Sequence, residues 1–247
     1  MLSILNKHRT IRKYTDKQIE PKLLTQLLES ACRASNTGNM QAYSIVVTTD
    51  SSIKDLLSPA HFNQPMLNNA PVVLTFCADF NRFSKWCELR NAEPGYDNFQ
   101  SFTAAAIDAL IVAQTFCIAA ESEGLGICYL GTTTYNAQEI ITALHLPRLV
   151  VPVTTITVGY PADMPHQTDR LPLDSVVHHE TYKDFSAEDI NSIYAEKENS
   201  EFYKQFVAEN GKETLAQVFT DIRYSKKNNE FFSEKFLDAL KVQGFMK

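Results

Sequence analysis

The side chains best suited to chemistry gather near the start of the chain. His8-Arg9-Thr10-Ile11-Arg12-Lys13-Tyr14 packs three cations near its centre, an imidazole and two hydroxyls into seven residues. A guanidinium is a planar fork of donors, matched to a phosphate or to the polar edge of a heterocycle, and Ile11 marks an inward-facing position between two of them. Taken alone, the segment also reads as a solvated basic turn. A second candidate is the loop Ser35-Asn36-Thr37-Gly38-Asn39. Small hydroxyl and amide side chains with backbone N–H groups can cradle a phosphate or a polyhydroxyl chain, although ordinary turns have the same composition. A third is Tyr129-Leu130-Gly131-Thr132-Thr133-Thr134, where a glycine directly after a strand permits close approach to the backbone or simply makes a tight turn. Arg170, before Leu171-Pro172, stands alone and has the context of a surface residue.

Several reaction classes are excluded by what these motifs lack. There is no G-x-S-x-G nucleophile elbow, no H-E-x-x-H, no dinucleotide fingerprint and no phosphate-binding loop ending in Lys-Ser/Thr. The five cysteines, Cys32, Cys77, Cys87, Cys117 and Cys128, are widely spaced, with no C-x-x-C pair or Cys/His metal spacing. No nucleophile–base–orienter trio is evident. If the chain is an enzyme, its hard chemistry belongs to a bound organic cofactor.

The elements that must position these residues follow from periodicity. Leu2, Leu5 and then Leu23, Leu24, Leu27, Leu28 and Ala31 recur at helical spacing over residues 1–34, with Pro21 suited to a helix start. Residues 44–49, 72–77, 127–130 and 153–160 read as strands separated by helices, so the expected class is α+β. Residues 103–123 form the longest apolar segment. Asp108, Gln114 and Thr115 interrupt it, which predicts a helix buried on most sides rather than a membrane span. From residue 186 onward the composition turns to charge and aromatics and predicts amphipathic helices without strands, a helical extension suited to clasping a partner subunit.

The net charge of −6 argues against a nucleic-acid partner, and no basic run suggests a membrane surface. Cysteines within apolar segments and an N-terminus without a signal-peptide core predict a cytoplasmic protein.

Taken in order, the segments resemble the nitroreductase superfamily, and most closely its oxygen-insensitive nitroreductase and NADPH–flavin oxidoreductase branch. The resemblance rests on His8-Arg9-Thr10-Ile11-Arg12, Gln41, Gln64, Cys77-Ala78-Asp79-Phe80-Asn81-Arg82, Ala119-Ala120-Glu121-Ser122 and Gly124-Leu125-Gly126. It continues through Tyr129-Leu130-Gly131, Gly159-Tyr160-Pro161-Ala162-Asp163 and Arg170-Leu171-Pro172. It spans residues 1–180; beyond that only helical character is shared.

The resemblance implies a central, mostly antiparallel sheet wrapped by helices, one domain over residues 1–247 with a helical extension at 186–247, and a homodimer with FMN at the subunit interface. It also implies roles. His8 and Arg170 hold the FMN phosphate with Ser35, Asn36 and Thr37, while Arg9 and Thr10 line the phosphate and ribityl end. Arg12 faces the pyrimidine edge near Gln64. Tyr129, Leu130, Gly131 and Thr132 pass close to the flavin N5. Residues from Ser35 to Gln41 come from the second subunit. NAD(P)H serves as co-substrate, and a nitroaromatic, quinone or free flavin as acceptor, in a ping-pong cycle with no protein acid or base and no metal. The alternative is a non-catalytic flavin-binding protein that kept the fold. One departure stands out: Thr168 occupies the place where the family commonly carries a Lys. For nicotinamide choice, residues 208–214 offer only Lys212, flanked by Glu209 and Glu213, which predicts weak discrimination between NADH and NADPH.

Overall fold

The computed structural model describes residues 2–246. Internal contacts divide the chain into two compact units. One runs to His166 and resumes at Phe232; the other is Gln167–Phe231.

The first unit is built on a four-stranded sheet of order β1-β2-β4-β3, with β1 Tyr43–Thr48, β2 Val72–Asp79, β3 Gly126–Leu130 and β4 Val150–Gly159. Its ladders are antiparallel throughout, in agreement with the expected class. All eight residues of β2 are buried, the signature of a strand covered on both faces, and this explains its continuous apolar run. Alternation along β2 sends Val72, Leu74 and Phe76 to one face and Val73 to the other.

The first face packs against α2 (Pro21–Ala31) and α6 (Phe99–Ser122), where Phe76, Val112, Phe116 and Ile156 are fully buried. Burying each such side chain contributes about 1.5–3 kcal/mol. The opposite face is covered by α3 (Ser51–Leu57), α4 (Pro65–Asn69) and α7 (Ala137–Ala143), through Leu57, Leu67 and Ile140. Helix α1 (Leu2–Leu5) and α5 (Asn81–Glu88) complete the series before the C-terminal helices.

Helix starts are locally encoded. The Asp50 carboxylate accepts from the amides of Ser52 and Ile53 at the start of α3, and Asn98 accepts from Ser101 N–H at the start of α6. Helix α6 therefore begins before the apolar run. Its positions 105, 109, 112, 113, 116 and 120 face the core, while Ile107, Leu110 and Ile111 stay exposed. It is the one helix among the described residues long and apolar enough to cross a membrane, and its packed face is that of a sheet-covering core helix.

The C-terminal region is helical as expected, with α8 Ala187–Asn199, α9 Glu201–Glu209, α10 Leu215–Gln217 and α11 Lys226–Val242. A Ser186–Asp189 capping box opens α8. The compositional shift at 186 falls inside the second unit, which begins at Gln167. The last residues do more than extend: Leu240 and Phe245 are fully buried with Phe80, Phe102 and Val151 at one end of the sheet.

Candidate functional site

Residues 10–14 run extended along the outer side of β3. Thr10 pairs with Ile127 in a parallel bridge, Ile11 N–H donates to Ile127 O at 2.9 Å, and Tyr14 bridges Pro161. The Tyr14 hydroxyl, 2.8 Å from Ile11 O and 2.7 Å from Thr157 Oγ1, pins the strip from below; burial pushes its pKa up, so it stays a neutral donor. The approach depends on Gly126, where a Cβ would lie 2.5 Å from Ile11 Cγ1 and 2.6 Å from its Cβ. With Ile11 buried, its neighbours are partly or fully exposed.

The strip's polar side chains have different commitments. His8 Nδ1 lies 2.5 Å from Glu121 Oε1 at the end of α6. Arg9 turns to backbone, donating to Pro165 O at 3.0 Å and Lys7 O at 2.9 Å. It lines a cleft of about 300 Å³ with Lys7, Glu121, Gly124 and Met164, a cleft that includes none of Arg12, Gln64 or Gly131. Arg12 is exposed and has no carboxylate partner among the described residues. It lies close to Cys128, whose thiol is pushed up by burial and partly brought back by the guanidinium.

At the end of β3, Leu130 is core and only its backbone is available. Tyr129 faces α6 and donates to Gln114 Oε1 at 3.3 Å. Gly131 is exposed, with no heavy atom within 4 Å of where a Cβ would stand. Thr132 Oγ1 is 2.8 Å from Nδ1 of His61, and Asn136 Nδ2 donates to Ala60 O at 2.8 Å. The β3 end is thereby joined to the turn preceding Gln64, whose side chain makes no hydrogen bond among the described residues. Full burial pushes the His61 pKa down to about 4, so the ring is neutral near pH 7.

The loop from Ser35 to Gln41 lies elsewhere, leading into β1. Thr37 donates both its N–H (2.9 Å) and its hydroxyl (3.0 Å) to Asp108 Oδ1 on α6. Thr37 therefore anchors the loop, where the sequence pointed to a phosphate contact, and the exposed Ser35 is the hydroxyl left at its rim. Gln41 N–H donates to Asn36 Oδ1 at 3.2 Å, Gln41 Nε2 donates to Asn39 Oδ1 at 3.1 Å, and Arg82 donates to Gln41 O. Strands β1 and β3 are the two edges of the sheet. Four strand spacings, about 19 Å, separate the ladder positions of this loop's strand from the strip that runs outside β3.

Arg170 belongs to the second unit. Its guanidinium folds back on Thr168 Oγ1 (2.7 Å) and Asp169 O (2.9 Å). Thr168, standing where a cation was expected, orients the arginine instead. Asp169 is held below the usual carboxylate range by its hydrogen bond from Lys197 at 2.8 Å, with Tyr203 donating to its other oxygen. In the same unit Lys212 pairs with Asp221 at 2.8 Å, and Arg223 lies over the Phe206 ring.

The strip around Thr10 and Ile11 thus lies against Ile127 of β3, and the His61–Thr132 bond ties the turn after β3 to the turn before Gln64. A guanidinium with no carboxylate partner and a side-chain amide with no hydrogen bond, both among the described residues, and an open glycine backbone suit a planar heterocycle with polar edges. Sequence reasoning passed over His61 and the anchoring role of Asp108. A carboxylate inside an apolar helix was a readable signal for the second; a lone histidine between Ala60 and Phe62 gave none for the first.

Comparison with known proteins identifies the family. The model of the Nitroreductase family matches residues 5–160. A Bacillus subtilis protein named FMN reductase [NAD(P)H] is 37% identical over 184 residues, 74% of each chain. A crystal structure from Bacteroides fragilis NCTC 9343 superposes with a TM-score of 0.98 at 62% identity, covering 99% of this chain and 100% of that one. The NADPH:FMN oxidoreductase from Vibrio harveyi complexed with NAD+ gives a TM-score of 0.80 at 25% identity over 100% of this chain and 98% of its own. The chain belongs to the nitroreductase family, in its NADPH nitroreductase and flavin oxidoreductase branch.

Proposed function

We propose that this protein is an FMN-dependent NAD(P)H oxidoreductase that works as a homodimer, with two flavin sites each completed by both subunits. One observation carries the reading. The strip carrying Arg12 runs beside β3, and the open Gly131 turn follows that strand, while the hydroxyl-rich loop from Ser35 to Gln41 leads into β1 at the other edge of the sheet. A second copy brings its loop to the first copy's strip. The exposed Ile107, Leu110 and Ile111 of α6 offer an apolar surface for that contact.

Bound FMN supplies the hydride acceptance and donation; the protein's part is to hold it and tune it. Arg12 would stabilise negative charge at the pyrimidine edge, because a fixed guanidinium needs no reorganisation when charge develops. Gln64 would add a directional hydrogen bond beside it. Gly131 leaves room at the end of β3, with Tyr129, Leu130 and Thr132 forming the adjoining wall. His8 and Thr10 would meet the phosphate and ribityl end, with Ser35 and Asn36 of the second copy; Arg170, oriented by Thr168, is a separate candidate phosphate contact. Arg9 supports this end by fixing the strip to Pro165.

With no acid or base required from the protein, one face serves nicotinamide and acceptor in turn, giving ping-pong kinetics. The acceptor is a nitroaromatic, a quinone or free flavin. The five free thiols suit a reducing cytoplasm. The experiment is chromatography of the released chromophore, followed by anaerobic mixing with NADH and NADPH. FMN that is reduced by either nicotinamide supports the reading. FAD at one per subunit refutes it, and FMN that neither nicotinamide reduces leaves the non-catalytic flavin binder.

A further inference from the structure

We propose that His61 is a positioning residue for the flavin site, acting through its hydrogen bond to Thr132 as the latch between the Gln64 turn and the Gly131 turn. The inference rests on the FMN reading above and adds a residue that lies behind the site.

Three local costs fall on successive residues just before Gln64. His61 is fully buried, with Nδ1 bonded to Thr132 Oγ1 and Nε2 without a partner among the described residues. Phe62 and Asn63 follow, both in the left-handed region at φ 54°. That conformation is unfavourable for a residue carrying a Cβ, most of all a bulky one. An orphaned buried nitrogen costs more than a single neutral hydrogen bond returns. Stability alone therefore favours an apolar residue at 61 and glycine at 62. Clustered local costs of this kind mark geometry maintained for function.

The geometry maintained here is the register of two turns. His61 ties to Thr132, and Ala60 O accepts from Asn136. Phe62 packs edge-on against Tyr135 at 6.4 Å between ring centroids. On the far side of these ties are Gln64, four residues after Ala60, and Gly131, the residue before Thr132. Among the described residues the Gln64 side chain makes no hydrogen bond, and Gly131 has open space where a Cβ would stand. With the His61–Thr132 bond broken, the Thr132 hydroxyl and the backbone around Gly131 lose their fixed orientation relative to Gln64.

The test is a double-mutant cycle read on FMN binding by full-length apoprotein, followed by flavin fluorescence, and on the midpoint potential of the bound flavin. Thr132→Val removes the hydroxyl at nearly constant volume. His61→Leu removes the ring's hydrogen-bonding nitrogen while filling the space. Each single change is expected to weaken FMN binding by about tenfold and to move the potential. The double variant is expected to bind no more weakly than either single one. Thr132→Ser, which keeps the hydroxyl, is expected to bind within about threefold of the wild type.

A Thr132→Val variant with wild-type affinity and potential overturns the inference, as do single effects that multiply in the double variant. If His61→Leu does not fold, the comparison of Thr132→Val with Thr132→Ser decides alone. Wild-type protein that fails to bind FMN sinks the functional reading itself. A wild type that binds FMN with an uncoupled pair sinks only the latch.

Discussion

Gly126→Ala tests whether the close approach of the N-terminal strip to β3 places the flavin-binding residues. The added Cβ would stand 2.5, 2.6 and 2.7 Å from Cγ1, Cβ and Cγ2 of Ile11. Carbon atoms in ordinary contact are about 3.5–4.0 Å apart, so strip and strand must separate by about 1 Å. Rotating Ile11 gives no escape, because its Cβ is one of the clashing atoms. The Ile11 N–H to Ile127 O bond, now 2.9 Å, opens to about 3.9 Å and is lost. Overpacking costs about 1–3 kcal/mol, and the lost hydrogen bond adds about 0.5–1.5 kcal/mol. A displacement of about 1 Å in a positioned site lowers turnover on the order of a hundredfold.

The assay combines urea unfolding of the apoprotein, FMN titration and steady-state turnover with NADH. Gly124→Ala is the control: Gly124 is at φ 75° with open space around it. It should cost about 1 kcal/mol in stability and leave FMN affinity unchanged. A Gly126→Ala protein with the wild-type urea midpoint and wild-type FMN affinity refutes the reasoning.

Four further outcomes are expected. Arg12→Ala should lower the flavin potential by the equivalent of about 1.5–3 kcal/mol, the usual size of a charged hydrogen bond; spectroelectrochemistry showing an unchanged potential with FMN bound removes Arg12 from this role. Ile107→Glu places a charge on the exposed face of α6 where each buried isoleucine contributes about 1.5–3 kcal/mol, so light scattering should show dissociation, and a persistent dimer contradicts the proposed interface. Because Lys212 is already paired with Asp221, kcat/KM for NADPH and NADH should differ by about tenfold or less; a hundredfold NADPH preference at equal salt points to another phosphate site, with Arg223 the next to test. His61 has its folded pKa pushed below the ordinary 6.5 to about 4, so between those values the unfolded state binds more protons; the stability from this group is full above about pH 6.5 and falls by about 3 kcal/mol as pH drops to 4, and an equal acid loss in His61→Leu by urea unfolding contradicts this.

Much of the fold was legible because it is written in periodicity and punctuation. Residues 72–77 announced β2 through a continuous apolar run opened by Pro71, and the structure extends it to Asp79. Strand β4 begins at Val150 rather than 153 because Pro152 obscured its start. Helices α3, α5 and α7, each of seven or eight residues, are too short to show a clear helical period, so their existence came only from packing. The site was legible to the extent that residues adjacent in sequence stay adjacent in space. The strip from His8 to Arg12 and the turn at Gly131 are of that kind. The role of Thr37 was less legible, because its hydroxyl and amide suit a phosphate and an internal carboxylate equally well, and their bonds to Asp108 depend on where α6 brings that residue.

Asp108 also bears on why site and interface would form together. It lies on the buried side of α6, one residue from Ile107 and two from Leu110, both exposed. Its Oδ1 fixes Thr37 at two points, while its Oδ2 is buried without a partner among the described residues. A carboxylate half-satisfied in this way is a poor choice for stability; its effect is to set the loop from Ser35 to Gln41 against the helix rather than leave it free. In the proposed dimer, the same helix then presents an apolar face to the partner and holds the polar loop that completes the partner's flavin site. Docking through Ile107, Leu110 and Ile111 delivers the loop with little further ordering cost. Subunit association and flavin affinity are then linked, and anything that loosens Thr37 from Asp108 weakens FMN binding without touching a residue at the β3 edge.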